Sequence, residues 1–267
     1  MKLKLLIIIQ FAMLSLVDGQ TNKTIILVHG AGHGAWCWTK IIPILSDQKI
    51  NAVAIDLPSH GNDTSKLFTQ TLMDDAEAVK KAANAVEGKV ILVGHSSGGV
   101  VIAQAAELLG SSKVDKLIFL DAFMPQNGQS VRELAAQAMK NSKVVAMDNA
   151  TPVMLFTANF QAFQWNPAIV ETHFFHDCSK EDQAFAKAKL TWQATATNGT
   201  PVQVSDNIYG KMPKYYILCT EAKDLDKSSI AHNVSIKKLY QLPSSHSPFF
   251  SMPTKLADIL VEIYHQK

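Results

Sequence analysis

The sequence predicts an α/β architecture built on a mostly parallel sheet, and three observations carry that prediction. Short apolar runs alternate with segments of helical periodicity along the chain. The runs are continuous rather than alternating, as strands covered on both faces require. Gly and Pro residues fall between the runs, where turns belong. With 267 residues and 47% hydrophobic content, the chain can bury one large core.

The elements follow in order. Thr24 to Val28 reads as the first strand and Ala35 to Leu45 as the first helix. The pattern repeats with Ala52 to Ile55 before Thr71 to Val86, Lys89 to Val93 before Val100 to Leu109, and then the strand Leu117 to Leu120. Strand character returns at Tyr215 to Cys219 and Lys238 to Gln241, and a helix from about Pro253 to Tyr264 closes the chain. The segment between, about 125–210, is too long for an ordinary loop and holds helical patterns at Val131 to Met139 and Glu181 to Leu190. It is expected to form a helical cap inserted after the strand ending at Asp121. Its apolar residues, Met154, Leu155, Phe156, Phe160, Phe163, Trp165, Phe174 and Phe175, fit the cap's own core better than a substrate pocket.

Met1-Lys2-Leu3-Lys4 and the apolar stretch Leu5 to Val17 have the outline of a secretory signal peptide, with Val17 and Gly19 small enough for the cleavage positions. The expectation is a leader over 1–19 and one catalytic domain over 20–267. Sequons at Asn22, Asn62, Asn149, Asn198 and Asn233 agree with a secreted glycoprotein, or one held in the lumen of the secretory pathway. No stable membrane association is expected after cleavage. Cys37, Cys178 and Cys219 allow at most one internal disulfide, and their spacing suggests buried small hydrophobes rather than a metal site.

Charged residues make up 18% of the chain and the formal net charge is +2, which supplies no long-range field for nucleic acid or an anionic membrane. A small neutral or weakly charged substrate suits this balance better. The sharpest motif is Gly94-His95-Ser96-Ser97-Gly98-Gly99, set between a strand and a helix. This is G-x-S-x-G in the context that lifts the serine hydroxyl above the strand ends. Such a hydroxyl is a poor nucleophile at neutral pH without a base in reach. Partners of a serine so placed follow in the order acid, then histidine, which directs attention to His246 in the Ser/Pro loop after the last strand. Oxyanion donors are expected from the N–H of Ser97 and, in the small-residue loop His29-Gly30-Ala31-Gly32-His33-Gly34, from Ala31. That loop lacks G-x-G-x-x-G, so a dinucleotide is not expected, and neither a cofactor nor a metal is required. His29, His33 and His60 read as structural, with His29 holding loop backbone through its ring.

Four stretches carry a family resemblance: residues 29–38, Asp56-Leu57-Pro58-Ser59-His60-Gly61, the serine turn, and Phe119-Leu120-Asp121-Ala122-Phe123-Met124-Pro125. Together they resemble the α/β-hydrolases that include plant methylesterases, hydroxynitrile lyases and bacterial small esterases. The resemblance implies the α/β-hydrolase fold, with triad and oxyanion loop carried onto Ser96, His246, Ala31 and Ser97. Relatives place the triad acid in a Cys-Thr-X-Asp-like context, where this chain reads Cys219-Thr220-Glu221-Ala222. The acid is therefore assigned to Asp121, at a rigid strand end, with Asp224 as the alternative.

The expected activity is hydrolysis of a small carboxylic ester through an acyl-enzyme on Ser96. A hydroxynitrile lyase is the alternative, although lyases of the family typically carry threonine where Gly30 stands and lysine where Ser247 stands. A third possibility is a non-catalytic ligand-binding protein that kept the fold.

Overall fold

The structure, a computed structural model, describes residues 23–61, 67–141 and 151–266. The leader and the sequons at Asn22, Asn62 and Asn149 lie outside the described residues. Six parallel strands form the central sheet: β1 (Thr24–Val28), β2 (Asn51–Ile55), β3 (Val90–His95), β4 (Val114–Leu120), β8 (Lys214–Cys219) and β9 (Lys238–Leu242). Their spatial order is β2-β1-β3-β4-β8-β9. The chain thus starts inside the sheet, moves out to β2, and crosses back to β3. That reversal opens a crevice at the carboxyl ends of β1 and β3, the place where open α/β sheets bind ligands.

The continuous apolar runs are explained by burial on both faces. Ile26, Val28, Leu92, Leu117 and Phe119 point into one hydrophobic layer. Ile25, Leu27, Ile91, Val93, Ile118 and Leu120 point into the other. The first layer is covered by α2 (Leu72–Asn84) and α3 (Gly98–Leu109), the second by α1 (Ile41–Asp47) and α9 (Pro253–His265). Thr71 starts α2 with a capping box, its side chain accepting from Asp74 N while Asp74 returns a bond to the Thr71 backbone. The end of α9 is held by buried Lys116 of β4, whose Nζ donates to Ile263 O at 3.1 Å and Gln266 O at 2.5 Å.

Between β4 and β8 the described residues form helices α4 (Val131–Asn141), α5 (Val170–His173), α6 (Lys180–Lys189) and α7 (Thr195–Gly199), together with a feature the helical expectation omits. Strands β5 (Met154–Phe156), β6 (Ala162–Trp165) and β7 (Gln193–Ala194) make a small antiparallel sheet. Aromatic residues concentrated in a short stretch favour the pleated, half-buried surface they find there. Phe163, Phe174 and Phe175 are buried, whereas Phe156 and Phe160 are exposed on the β5–β6 hairpin. The segment predicted as one helix from Ala35 is a 3₁₀ turn at Ala35–Trp38 followed by α1. A short α8 (Pro248–Ser251) precedes α9. Among the described residues no helix is long and apolar enough to cross a membrane.

Candidate active site

β3 ends at His95 and α3 begins at Gly98, so Ser96 and Ser97 make the whole turn. Ser96 sits at φ 54°, in the left-handed region that costs a residue with a Cβ. The turn is tight enough to demand glycine on both sides. A Cβ on Gly94 would lie 2.5 Å from Gly98 O, and one on Gly98 would lie 2.6 Å from His29 O. The end of β4 and the loop after it hold the strained residue: Ser96 N donates to Leu120 O at 3.3 Å, and Ser96 O accepts from Phe123 N at 3.0 Å.

His246 lies in the loop between β9 and α8, its side chain only 2% exposed. Its Nδ1 is 2.5 Å from Asp121 Oδ2. On the other side, His95 Nε2 donates to the His246 carbonyl at 2.9 Å, and the two rings lie 4.4 Å apart. The histidine is thereby seated against the residue preceding Ser96. Among the described residues no hydrogen bond joins Ser96 Oγ to His246; nucleophile–base contacts are often long in unliganded enzymes and tighten in the substrate complex.

Asp121 directly follows β4, fully buried at φ 42°. Its N donates to Ile217 O at 2.7 Å and its Oδ1 accepts from Cys219 N at 3.3 Å, so β8 clasps it by backbone and side chain. Asp224 stands further from the imidazole, its Oδ2 at 3.7 Å from His246 Nδ1. A residue the sequence did not single out joins them all. Lys227 Nζ, with no exposed side-chain surface, lies 2.6 Å from Asp224 Oδ2, 3.0 Å from Asp121 Oδ2 and 3.4 Å from His246 Nδ1. Burial by itself would raise the Asp121 carboxyl, but the Lys227 charge and the His246 contact outweigh it and hold the group below its ordinary value. One atom each of Asp121, Asp224 and His246 lies within 4.8 Å of the others, a spacing able to hold a metal ion. The Lys227 ammonium already stands among them as the cation.

The first loop approaches the serine closely: a Cβ on Gly30 would meet Ser96 Cβ at 2.7 Å. The cap ties this loop down. Trp165 Nε1 donates to Ala31 O at 2.7 Å, and Gly32 N donates to Gln193 Oε1 at 2.9 Å. His29 Nε2 accepts from Leu57 N at 3.0 Å, which makes Nδ1 the donor to Gly30 O at 2.9 Å and gives the ring its backbone-holding role. His33 Nδ1 contacts Ala31 O and His60 Nδ1 contacts Pro58 O. Burial pushes His33 down to about 4 and holds His29 and His95 well below the usual imidazole range, so all three are neutral at neutral pH. Beside Gly30 and Ser97 is a cavity of about 10 Å³, bordered by Leu57, Asp75, Val101 and Gln193, with room for about one water. Cys37, Cys178 and Cys219 are buried free thiols. Burial and the Asp177 charge push Cys178 up to about 12.

A strained serine between strand and helix, a histidine from beyond the last strand and a carboxylate at a neighbouring strand end are arranged as in a hydrolase of the α/β class. Residues 25–259 match the Alpha/beta hydrolase family, and the chain belongs to it. The chain is 30% and 32% identical to putative chloroplastic methylesterases 13 and 15 of Arabidopsis thaliana, over 94% and 92% of its length. It spans 58% of the length of each of these two relatives. It is also 30% identical to methylesterase 7 of Arabidopsis thaliana, over 92% of this chain and 98% of that one. Among solved structures, tomato methylketone synthase I complexed with 2-tridecanone superposes with a TM-score of 0.78 at 24% identity, over 91% of this chain and 97% of that one, a likeness of fold.

These comparisons correct the secreted location expected from the leader, because relatives of this similarity are chloroplastic by name. A short basic start and an apolar run are coarse features, and they do not by themselves identify the targeting receptor that reads them.

Proposed function

We propose that the chain is a serine carboxylesterase acting on small esters, with Ser96 as nucleophile, His246 as general base, Asp121 as the triad acid, and the N–H groups of Ala31 and Ser97 as oxyanion donors. The observation that carries this reading is the 2.5 Å contact of the buried Asp121 carboxylate with His246 Nδ1, beside a serine held at φ 54°. With Nδ1–H committed to Asp121, Nε2 is free to take the Ser96 proton. Ser96 Oγ then attacks the ester carbonyl, and the two N–H groups receive the oxyanion. Collapse expels the alcohol, which takes the proton from His246 and leaves the acyl group on Ser96. Water, deprotonated by the same histidine, releases the acid.

The methylesterase names of the relatives suggest a methyl ester and a plastid compartment for this chain. The lyase reading fits less well, since this chain has glycine at position 30, where lyases of the family typically carry threonine.

The test combines labelling and turnover. Wild type should be trapped by a fluorophosphonate at Ser96 and should hydrolyse methyl esters faster than butyl esters of the same acid. Ser96→Ala should lose labelling and about six orders of magnitude in turnover, the cost of removing the nucleophile in a well-studied serine protease. Hydrolysis by Ser96→Ala at the wild-type rate would overturn the assignment.

A further inference from the structure

Beyond the triad, Lys227 is a buried cation set between two carboxylates and the imidazole, and the catalytic scheme above does not use it. We propose that Lys227 is a positioning residue which balances the charge of the two carboxylates around His246 and holds Asp121 where it orients the ring. The inference depends on the serine-hydrolase reading.

The argument is a charge count in a closed space. Asp121 and Asp224 each bring one negative charge, and Lys227 brings one positive charge within 3.0 Å of both. With His246 neutral the cluster carries one net negative charge; when His246 takes the Ser96 proton it becomes neutral. Without the ammonium the imidazole would face two uncompensated carboxylates, at 2.5 Å and 3.7 Å. Opposite charge that close favours the protonated ring. A histidine protonated at rest accepts nothing from serine. Geometry adds to this, because Asp121 Oδ2 receives Lys227 and His246 together while Oδ1 is bound to Cys219 N. The carboxylate is fixed at three points and cannot swing away from the ring.

The remaining groups around the site do not supply this balance. His95 from β3 and His33 from the first loop are held neutral, chiefly by burial. Burial also pushes the Cys219 thiol up, so it carries no charge at neutral pH. Asp177, from the cap, faces the Ser245 backbone and would only add negative charge. Lys227 is thus the cation of the cluster among the described residues, and Asp224 is its second anchor.

The experiment is the pH profile of kcat/KM for p-nitrophenyl acetate, repeated as the pH dependence of fluorophosphonate labelling at Ser96. Lys227→Met should move the acid limb to higher pH by at least one unit. Asp224→Asn, which keeps the ammonium and removes one negative charge, should move it to lower pH by at least half a unit. The double variant Asp224→Asn/Lys227→Met restores the net charge, and its limb should return to within half a unit of wild type. A limb unmoved in Asp224→Asn overturns the proposal, and this arm stands even if Lys227→Met does not fold. So does a double variant displaced upward as far as Lys227→Met. If wild type is not labelled at Ser96, the hydrolase reading itself has failed, a result distinct from labelled variants whose limbs stay in place.

Discussion

Two aspartates stand near one histidine, and distance separates their roles. Asp121 Oδ2 contacts His246 Nδ1 at 2.5 Å, while Asp224 Oδ2 is at 3.7 Å and engages Lys227. Asp121→Asn should therefore lower turnover by about ten-thousandfold, as loss of the triad aspartate does in well-studied serine proteases, because an asparagine no longer stabilises the imidazolium or selects its tautomer. Asp224→Asn should leave turnover at the plateau pH within a few-fold of wild type. Steady-state kinetics on the two variants checks both, and the reverse ranking would move the acid to the loop after β8. As candidates, Ser96 and His246 could be picked out of the sequence because each is framed by local punctuation, glycines for one and a Ser/Pro loop after a strand for the other. Asp121 became legible only through the alanine at position 222. Lys227 carried no signal, since a lysine three residues from an aspartate in a polar loop reads as a surface pair.

At the level of elements, the sheet and its covering helices could be read because their apolar periodicity is a direct record of burial on two faces. β5, β6 and β7 could not, because strands of a few residues are too short to display a period of two. Those cap strands nevertheless reach the proposed chemistry. Trp165 of β6 and Gln193 of β7 each hold one backbone group of the first loop, Ala31 O and Gly32 N. A net hydrogen bond is worth about 1 kcal/mol, enough to shift the position of a preorganised donor between populations. Trp165→Phe keeps the aromatic packing and removes the bond. Its kcat should fall about five- to tenfold, in line with that bond's loss, while melting temperature changes little. An unchanged kcat would show that the first loop keeps its shape without the cap.

For the whole molecule, stability should depend on pH in a way set by its buried titratable groups. His29, His33 and His95 are held below their ordinary values, chiefly by burial, with His33 at about 4. The unfolded chain binds three protons that the folded chain refuses, so stability is lost as pH falls below about 6.5 toward 4. Asp75 acts in the opposite sense: burial pushes it up to about 8, so the folded chain keeps a proton that the unfolded chain has released. That single group makes stability decline as pH rises through the window up to about 8, but below 6.5 three protons outweigh one. Denaturant unfolding across pH 4–9 should show a maximum near pH 6.5, and Asp75→Asn should flatten its alkaline side. A profile that is flat between pH 4 and 6.5 would contradict the neutral state of the histidines.

The sheet order has a consequence for the chain as it is made. Ser96 and Asp121 directly follow β3 and β4, which are neighbours near the middle of the sheet. Their histidine follows β9, the outermost strand on that side, and reaches them only after β8 and β9 have docked in register. On the proposed assignment, a nascent chain on the ribosome carries Ser96 without its base until the segment holding His246 has been made. On that reading, competence arrives with closure of the sheet, and an immature chain would be chemically silent toward the esters around it.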